Sequence, residues 1–127
     1  MKLYHLTNNQ NVSSILREGL RVSPSGTDGP GVYAWAGPRE FAMRNADNYC
    51  EDCNYKLSEA EYNALTMGLS VLELDVPADA ETTMEWEDYV VLKEAVSPEC
   101  ITFIGIFGEL RKQKKSQANR LNKMVLE

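Results

Sequence analysis

The chain has 127 residues, 43% of them hydrophobic and 25% charged, with a net charge of −6. These are ordinary globular values and predict one domain that buries a core without disulfide or metal staples. They also exclude a membrane span, because no apolar run approaches ~18 residues. Residues 1–7 show neither an apolar h-region nor a small-residue cleavage site, so a soluble, cytoplasmic protein with no membrane partner is expected.

The charge is uneven. Residues 111–127 carry six basic side chains and one acid, a balance of +5. Residues 1–110 carry seven basic and eighteen acidic side chains, a balance of −11. The expected organisation is a folded body over 1–110 followed by a basic helix or tail over 111–127. An acidic body repels nucleic acid at long range. The basic segment suits nucleic acid, an acidic protein face, or simple solvation. Cys50, Cys53 and Cys100 cannot all pair internally and are expected as free thiols.

In chain order, residues 2–7 alternate, with Leu3, His5 and Thr7 on one face and Lys2, Tyr4 and Leu6 on the other, which predicts a strand. Asn8 or Asn9 offers an N-cap, and Val12, Ile15 and Leu16 follow at helical spacing. Gly19 suits a left-handed position after that helix. Residues 23–31 hold three glycines and two prolines and predict a loop. Residues 31–35 predict a second strand, with Val32 opposite Tyr33 and Trp35. Pro38 suits the first turn of a helix over about 39–49, with Phe41, Ala42 and Ala46 on its apolar stripe and Tyr49 a further candidate.

Residues 50–57 are polar and predict a loop. Ser58 and Glu61 have capping-box spacing and open a helix to about Met67, which Gly68 ends. Residues 70–76 alternate as a strand, ended by Pro77. Residues 78–88 form an acidic connection. Strands are expected at 89–92 and at 101–107, with Val96 contributing to the last, and a helix over 108–124. The order β-α-β-α-α-β-β-β-α predicts an α+β fold.

His5 is the only histidine, and it shares a strand face with Thr7. An imidazole beside a hydroxyl suits a ribose diol; equally, such a histidine can be half-buried and satisfied by a backbone carbonyl. Cys50 and Cys53 make a lone CxxC with no second pair or HxxxH, so no metal site is expected. The glycine-rich loop lacks GxGxxG or Walker spacing and reads as a substrate loop or a connector.

Residues 3–7 (Leu-Tyr-His-Leu-Thr), residues 14–20 (Ser-Ile-Leu-Arg-Glu-Gly-Leu) and residues 31–33 (Gly-Val-Tyr) resemble, in that order, the opening of the ADP-ribosyltransferase superfamily. The resemblance is to its diphtheria-toxin-like and RNA 2′-phosphotransferase-like branches, is strongest over residues 3–35, and is loose beyond. It implies a small α+β domain with a split, curved sheet of five or six strands flanked by helices. It also implies NAD as substrate, with ADP-ribose transferred to a macromolecular acceptor, protein or nucleic acid, as in compact toxin or phage effectors.

Residue by residue, the resemblance implies that His5 orients the adenosine-side ribose and that the backbone of Leu6 bonds the nicotinamide amide. Thr7 supports the ribose or its neighbouring backbone. Tyr33 stacks on the nicotinamide ring, and Trp35 lines the pocket or the core. The acid that stabilises oxocarbenium character is Glu87 or Asp88, with Glu85 and Glu94 nearby. Many family members carry a second tyrosine about eleven residues after the first; Arg44 stands there, so Trp35, Phe41 or Tyr49 must replace it. Two other functions fit the same residues. One is an inactive binding protein or inhibitor whose acidic body mimics nucleic acid. The other is an RNA 2′-phosphotransferase-like enzyme using Arg17, Arg21, Arg39 and Arg44.

Overall fold

The structure, a computed structural model, describes residues 1–24, 29–86 and 88–113, with backbone alone at 84–86. It is an α+β domain built on one six-stranded antiparallel sheet, in the order β4-β5-β2-β1-β3-β6. The strands are β1 (Lys2–Asn8), β2 (Val32–Ala36), β3 (Leu69–Asp75), β4 (Thr82–Trp86), β5 (Tyr89–Leu92) and β6 (Ile101–Ile106). The helices are α1 (Val12–Glu18), α2 (Arg39–Cys53) and α3 (Glu59–Met67), with α4 described over 107–113. Among the described residues no helix is long and apolar enough to cross a membrane.

Alternation decides which side chain meets which layer. Leu3, Val32, Ala34, Leu72, Leu74, Val90 and Leu92 face one way and bury Ile15 of α1 together with Leu20, Val96 and Ile101. Tyr4, Trp35 and Val71 face the other way and bury Ala42 and Ala46 of α2 with Phe107 of α4. The two alanines, one turn apart, let α2 lie close to the sheet. Leu16 and Phe41 are exceptions to the expected stripes. Both are exposed, and Phe41 lies one helical step away from the alanine face, under the Arg44 guanidinium.

Four boundaries differ from the sequence reading. The acidic connection contains β4, which forms an antiparallel hairpin with β5. An edge strand with Thr82 and Thr83 tolerates acidic neighbours, because one side of it faces solvent. The polar stretch after Tyr49 extends α2 to Cys53 rather than opening a loop, and Asn54 then closes the helix by donating to the Cys50 and Glu51 carbonyls. Val96 makes an isolated bridge with Leu20. Phe107 starts α4 instead of ending β6, and the expected helix beyond 113 lies outside the described residues. The Ser58–Glu61 capping box forms in both directions, as its spacing requires.

Gly19 is not in the left-handed helical well. Its φ of +88° combines with an extended ψ of 178°, so the chain turns straight from α1 into the Leu20–Val96 bridge.

Candidate functional site

The sheet forks between β1 and β2. β1 pairs with β3 at seven positions but with β2 at only two, Leu3 with Ala36 and Tyr4 with Trp35. Beyond Tyr4 the two strands part, while β2 stays paired with β5 from Val32 to Trp35. His5, Leu6 and Thr7 line one arm of the fork, and Tyr33 lies on the other.

His5 bridges the opening. Its Nδ1 is 2.7 Å from the Tyr33 carbonyl oxygen, where a ladder bond would otherwise run. A carbonyl only accepts, so Nδ1 carries the proton and Nε2 of the neutral ring is an acceptor. Burial holds the His5 pKa below its ordinary value, and the bond to Tyr33 offsets part of that effect. The ring is therefore neutral at physiological pH, and a hydroxyl donor suits its Nε2. Thr7 accepts from Asn11 Nδ2 at 3.3 Å, which ties β1 to the turn before α1. Leu6 is half-buried against the α2 layer.

His5 and Tyr33 meet through the Tyr33 backbone. By alternation His5 leaves the sheet on the α1 side, whereas Tyr33 and Trp35 leave on the α2 side. The Tyr33 hydroxyl donates to the Gly29 carbonyl at 2.6 Å and so anchors the end of the glycine-rich loop to β2. Residues 25–28 of that loop lie outside the described residues.

On the α2 side Tyr33 belongs to an aromatic cluster centred on Tyr89. The Tyr89 ring is 5.6 Å from Tyr33, stacked on Trp35 at 4.5 Å, and 5.2 Å from Tyr49. Trp35 and Tyr49 meet edge-on at 5.8 Å. Burial first, and then the neighbouring Tyr49, Tyr33 and cysteines, push the Tyr89 phenol far above its ordinary value. Of Trp35, Phe41 and Tyr49, the candidates for the second aromatic position, Trp35 and Tyr49 join Tyr33 in this cluster, and Phe41 lies under Arg44 instead. The central role of Tyr89 depends on the β2–β5 pairing of Trp35 with Tyr89.

Of the candidate acids, Asp88 lies at the tip of the β4–β5 hairpin. Glu87 is outside the described residues, as is the side chain of Glu85. Asp88 is exposed at φ +63°, a left-handed turn position that aspartate tolerates, and its carbonyl accepts from Ala36 N–H at 2.8 Å. That bond fixes the hairpin tip to the paired end of β2. Glu94 is exposed after β5.

Sequence reasoning passed over one acid, Glu73. Its side chain, 15% exposed, accepts from Tyr4 Oη at 3.0 Å, Arg39 at 3.2 Å and Lys2 at 3.4 Å. Burial raises its pKa, but these three donors outweigh burial and hold it below the ordinary carboxylate value. A carboxylate so fully engaged serves packing rather than proton transfer. Of the arginines considered for an RNA phosphate, Arg39 is held by Glu73, Arg17 lies 3.8 Å from Glu18, and Arg44 covers Phe41.

A second polar cluster joins α2, α3 and α4. Arg111 is 10% exposed, with Nε 2.8 Å from Asp47 Oδ1 and Nη1 donating to Asn63 and Thr66 at 3.3 and 3.4 Å. Its guanidinium lies 4.7 Å over the Tyr62 ring, and Tyr62 Oη donates to Asp47 at 2.7 Å. The Nε–H does not point along the Asp47 contact, so that contact is electrostatic rather than an in-line hydrogen bond. Among the described residues no cluster of three or more His, Cys, Asp or Glu side chains suits a metal. No protein-family model, curated protein or solved structure matches the chain.

Proposed function

We propose that the chain is an ADP-ribosyltransferase-like domain that transfers ADP-ribose from NAD to a macromolecular acceptor, protein or nucleic acid. The β1–β2 fork carries this reading. It puts a neutral imidazole, free to accept at Nε2, beside a strand whose tyrosine heads an aromatic cluster. His5 Nε2 would accept from a hydroxyl of the adenosine-side ribose. The Leu6 backbone would bond the nicotinamide amide, with Thr7 beside it. The Tyr33 ring, backed by Tyr89 and Trp35, would stack on the leaving nicotinamide. Glu87, or Asp88 next to it, would stabilise the oxocarbenium charge as the glycosidic bond breaks.

One observation favours a second reading. The His5 and Tyr33 side chains leave opposite faces of the sheet, so the same fork can hold a ligand without straining its glycosidic bond. In that reading the domain binds and does not cleave.

Nicotinamide release from NAD, followed chromatographically with water as acceptor, tests the first reading. Glu87→Gln is expected to lower the rate by about 10²–10³, the usual effect of removing one charge-stabilising group. Asp88→Asn is expected to retain most of it. Intact NAD after prolonged incubation with well-folded wild type, in the presence of protein and nucleic-acid acceptors, would contradict transfer.

A further inference from the structure

Cys50 and Cys53 occupy the last turn of α2, the helix that delivers Tyr49 to the aromatic cluster. Residues three apart share one face of a helix, with Cα atoms about 5 Å apart by helical geometry. That Cα separation lies inside the range a disulfide spans, whereas the Cβ atoms, about 5–6 Å apart in a regular helix, must close to about 4 Å, so the bridge distorts the last turn. Both sulfurs remain thiols, Cys53 exposed and Cys50 half-buried. The turn is held at its end by the Asn54 N–H on the Cys50 and Glu51 carbonyls, and by Asn54 Nδ2 on the Cys50 carbonyl at 2.8 Å.

The thiols adjoin the cluster along α2, where Cys50 directly follows Tyr49. Tyr49 is raised above its ordinary pKa by burial, then by Cys53, Cys50 and Tyr33 in that order. Tyr89 also feels both cysteines. Ring contacts run from Tyr49, the residue next to Cys50 in α2, through Tyr89 to Tyr33, the residue that anchors Gly29.

We infer that Cys50 and Cys53 form a reversible disulfide under peroxide and thereby regulate the Tyr33 site. This inference rests on the NAD reading for its effect on the ligand, but not for the bond itself. Exposed Cys53 reacts first. Its thiolate attacks one peroxide oxygen and releases hydroxide, giving a sulfenic acid. Cys50 Sγ then attacks the Cys53 sulfur, the S–O bond breaks, and the sulfenic oxygen leaves as water with the Cys50 proton. Two thiols and one hydrogen peroxide become one disulfide and two waters.

Burial, then Asp47 and Cys53, push the Cys50 thiol up to about 11. That value suits the resolving partner better than the first target of oxidation. Closing the bridge imposes a disulfide torsion on the turn that follows Tyr49 and is fastened by Asn54. Tyr49 then shifts on Tyr89, and Tyr89 on Tyr33.

Hydrogen peroxide is the probe. Residues 45–56 lie between Arg44 and Lys56, so a single tryptic peptide contains both cysteines. The expected result is a loss of two hydrogens in that peptide, a changed near-ultraviolet circular dichroism spectrum, and NAD affinity weaker by about tenfold or more. Dithiothreitol should restore all three, and Cys50→Ser should abolish all three. Sulfinic or intermolecular products in place of the internal bridge would overturn the inference. So would a bridged protein with the spectrum of the reduced one, or with unchanged NAD affinity. Absence of NAD binding in both redox states, with the bridge and spectral change intact, removes the transferase reading and leaves the switch standing.

Discussion

Gly19→Ala is expected to destabilise the domain by about 3–4 kcal/mol. A non-glycine residue at positive φ costs about 1–2 kcal/mol. Gly19 holds φ +88°. A methyl at this position would also overlap the Val96 carbonyl oxygen and lie 3.2 Å from Pro98 Cδ. That carbonyl cannot retreat freely, because it accepts from Leu20 N–H at 2.9 Å while Val96 N–H donates back to Leu20. Overpacking of this kind adds about 1–3 kcal/mol. For a domain of this size the sum corresponds to a fall in Tm of roughly 10–15 °C. Calorimetric melting checks it, and a variant within a degree of wild type would show that the bridge yields. The function of Gly19 is geometric. It lets α1 return at once to the sheet and closes the core under β1, which carries His5.

Arg111→Ala is the second large effect, at about 3 kcal/mol. Removing one member of a buried ion pair strands the other, at a typical cost of about 3–5 kcal/mol. Asp47 is 28% exposed and keeps the Tyr62 hydroxyl, so the lower end applies. The deletion also uncovers the Tyr62 ring and leaves Asn63 and Thr66 without their donor. Denaturant unfolding measures the loss, and an Asp47→Asn double-mutant cycle isolates the pair. Arg111→Lys should recover only part, since an ammonium cannot stack on Tyr62 and reach Asp47 together. A loss under about 1 kcal/mol, the value of an exposed pair, would mean that α4 contributes little to the body.

The elements that declared themselves in sequence did so through local physics. β1 and β3 carry the period of two because successive side chains point to opposite faces of a strand, and α3 carries its own capping box. What stayed hidden needed partners distant in sequence. β4 is strand only because β5 returns beside it, and its acidic neighbourhood argued for a connection. α2 runs through a polar stretch to Cys53 with no apolar marker at its end. Arg111 looks like the first residue of a basic segment, yet its side chain is enclosed by α2 and α3.

The same divide runs through the site. His5 stood out as the single histidine beside Thr7 on a strand face, and Tyr33 through the resemblance alone. The fork that joins ring to carbonyl, and that sends the two side chains to opposite faces, follows from β1 and β2 sharing only two residue pairs. Tyr89 became central only through its pairing with Trp35. Glu73 was hidden because its partners come from β1 and α2, remote in the chain.

Calorimetric titration of NAD into the reduced protein, beside His5→Ala and Tyr33→Ala, tests whether the fork is the binding site. The expected result is saturable binding by wild type, weakened by about tenfold or more in each variant, since each change removes a directional contact worth about 1.4 kcal/mol or more. No heat and no rise in melting temperature at millimolar NAD, in a wild-type protein that melts cooperatively, would contradict it.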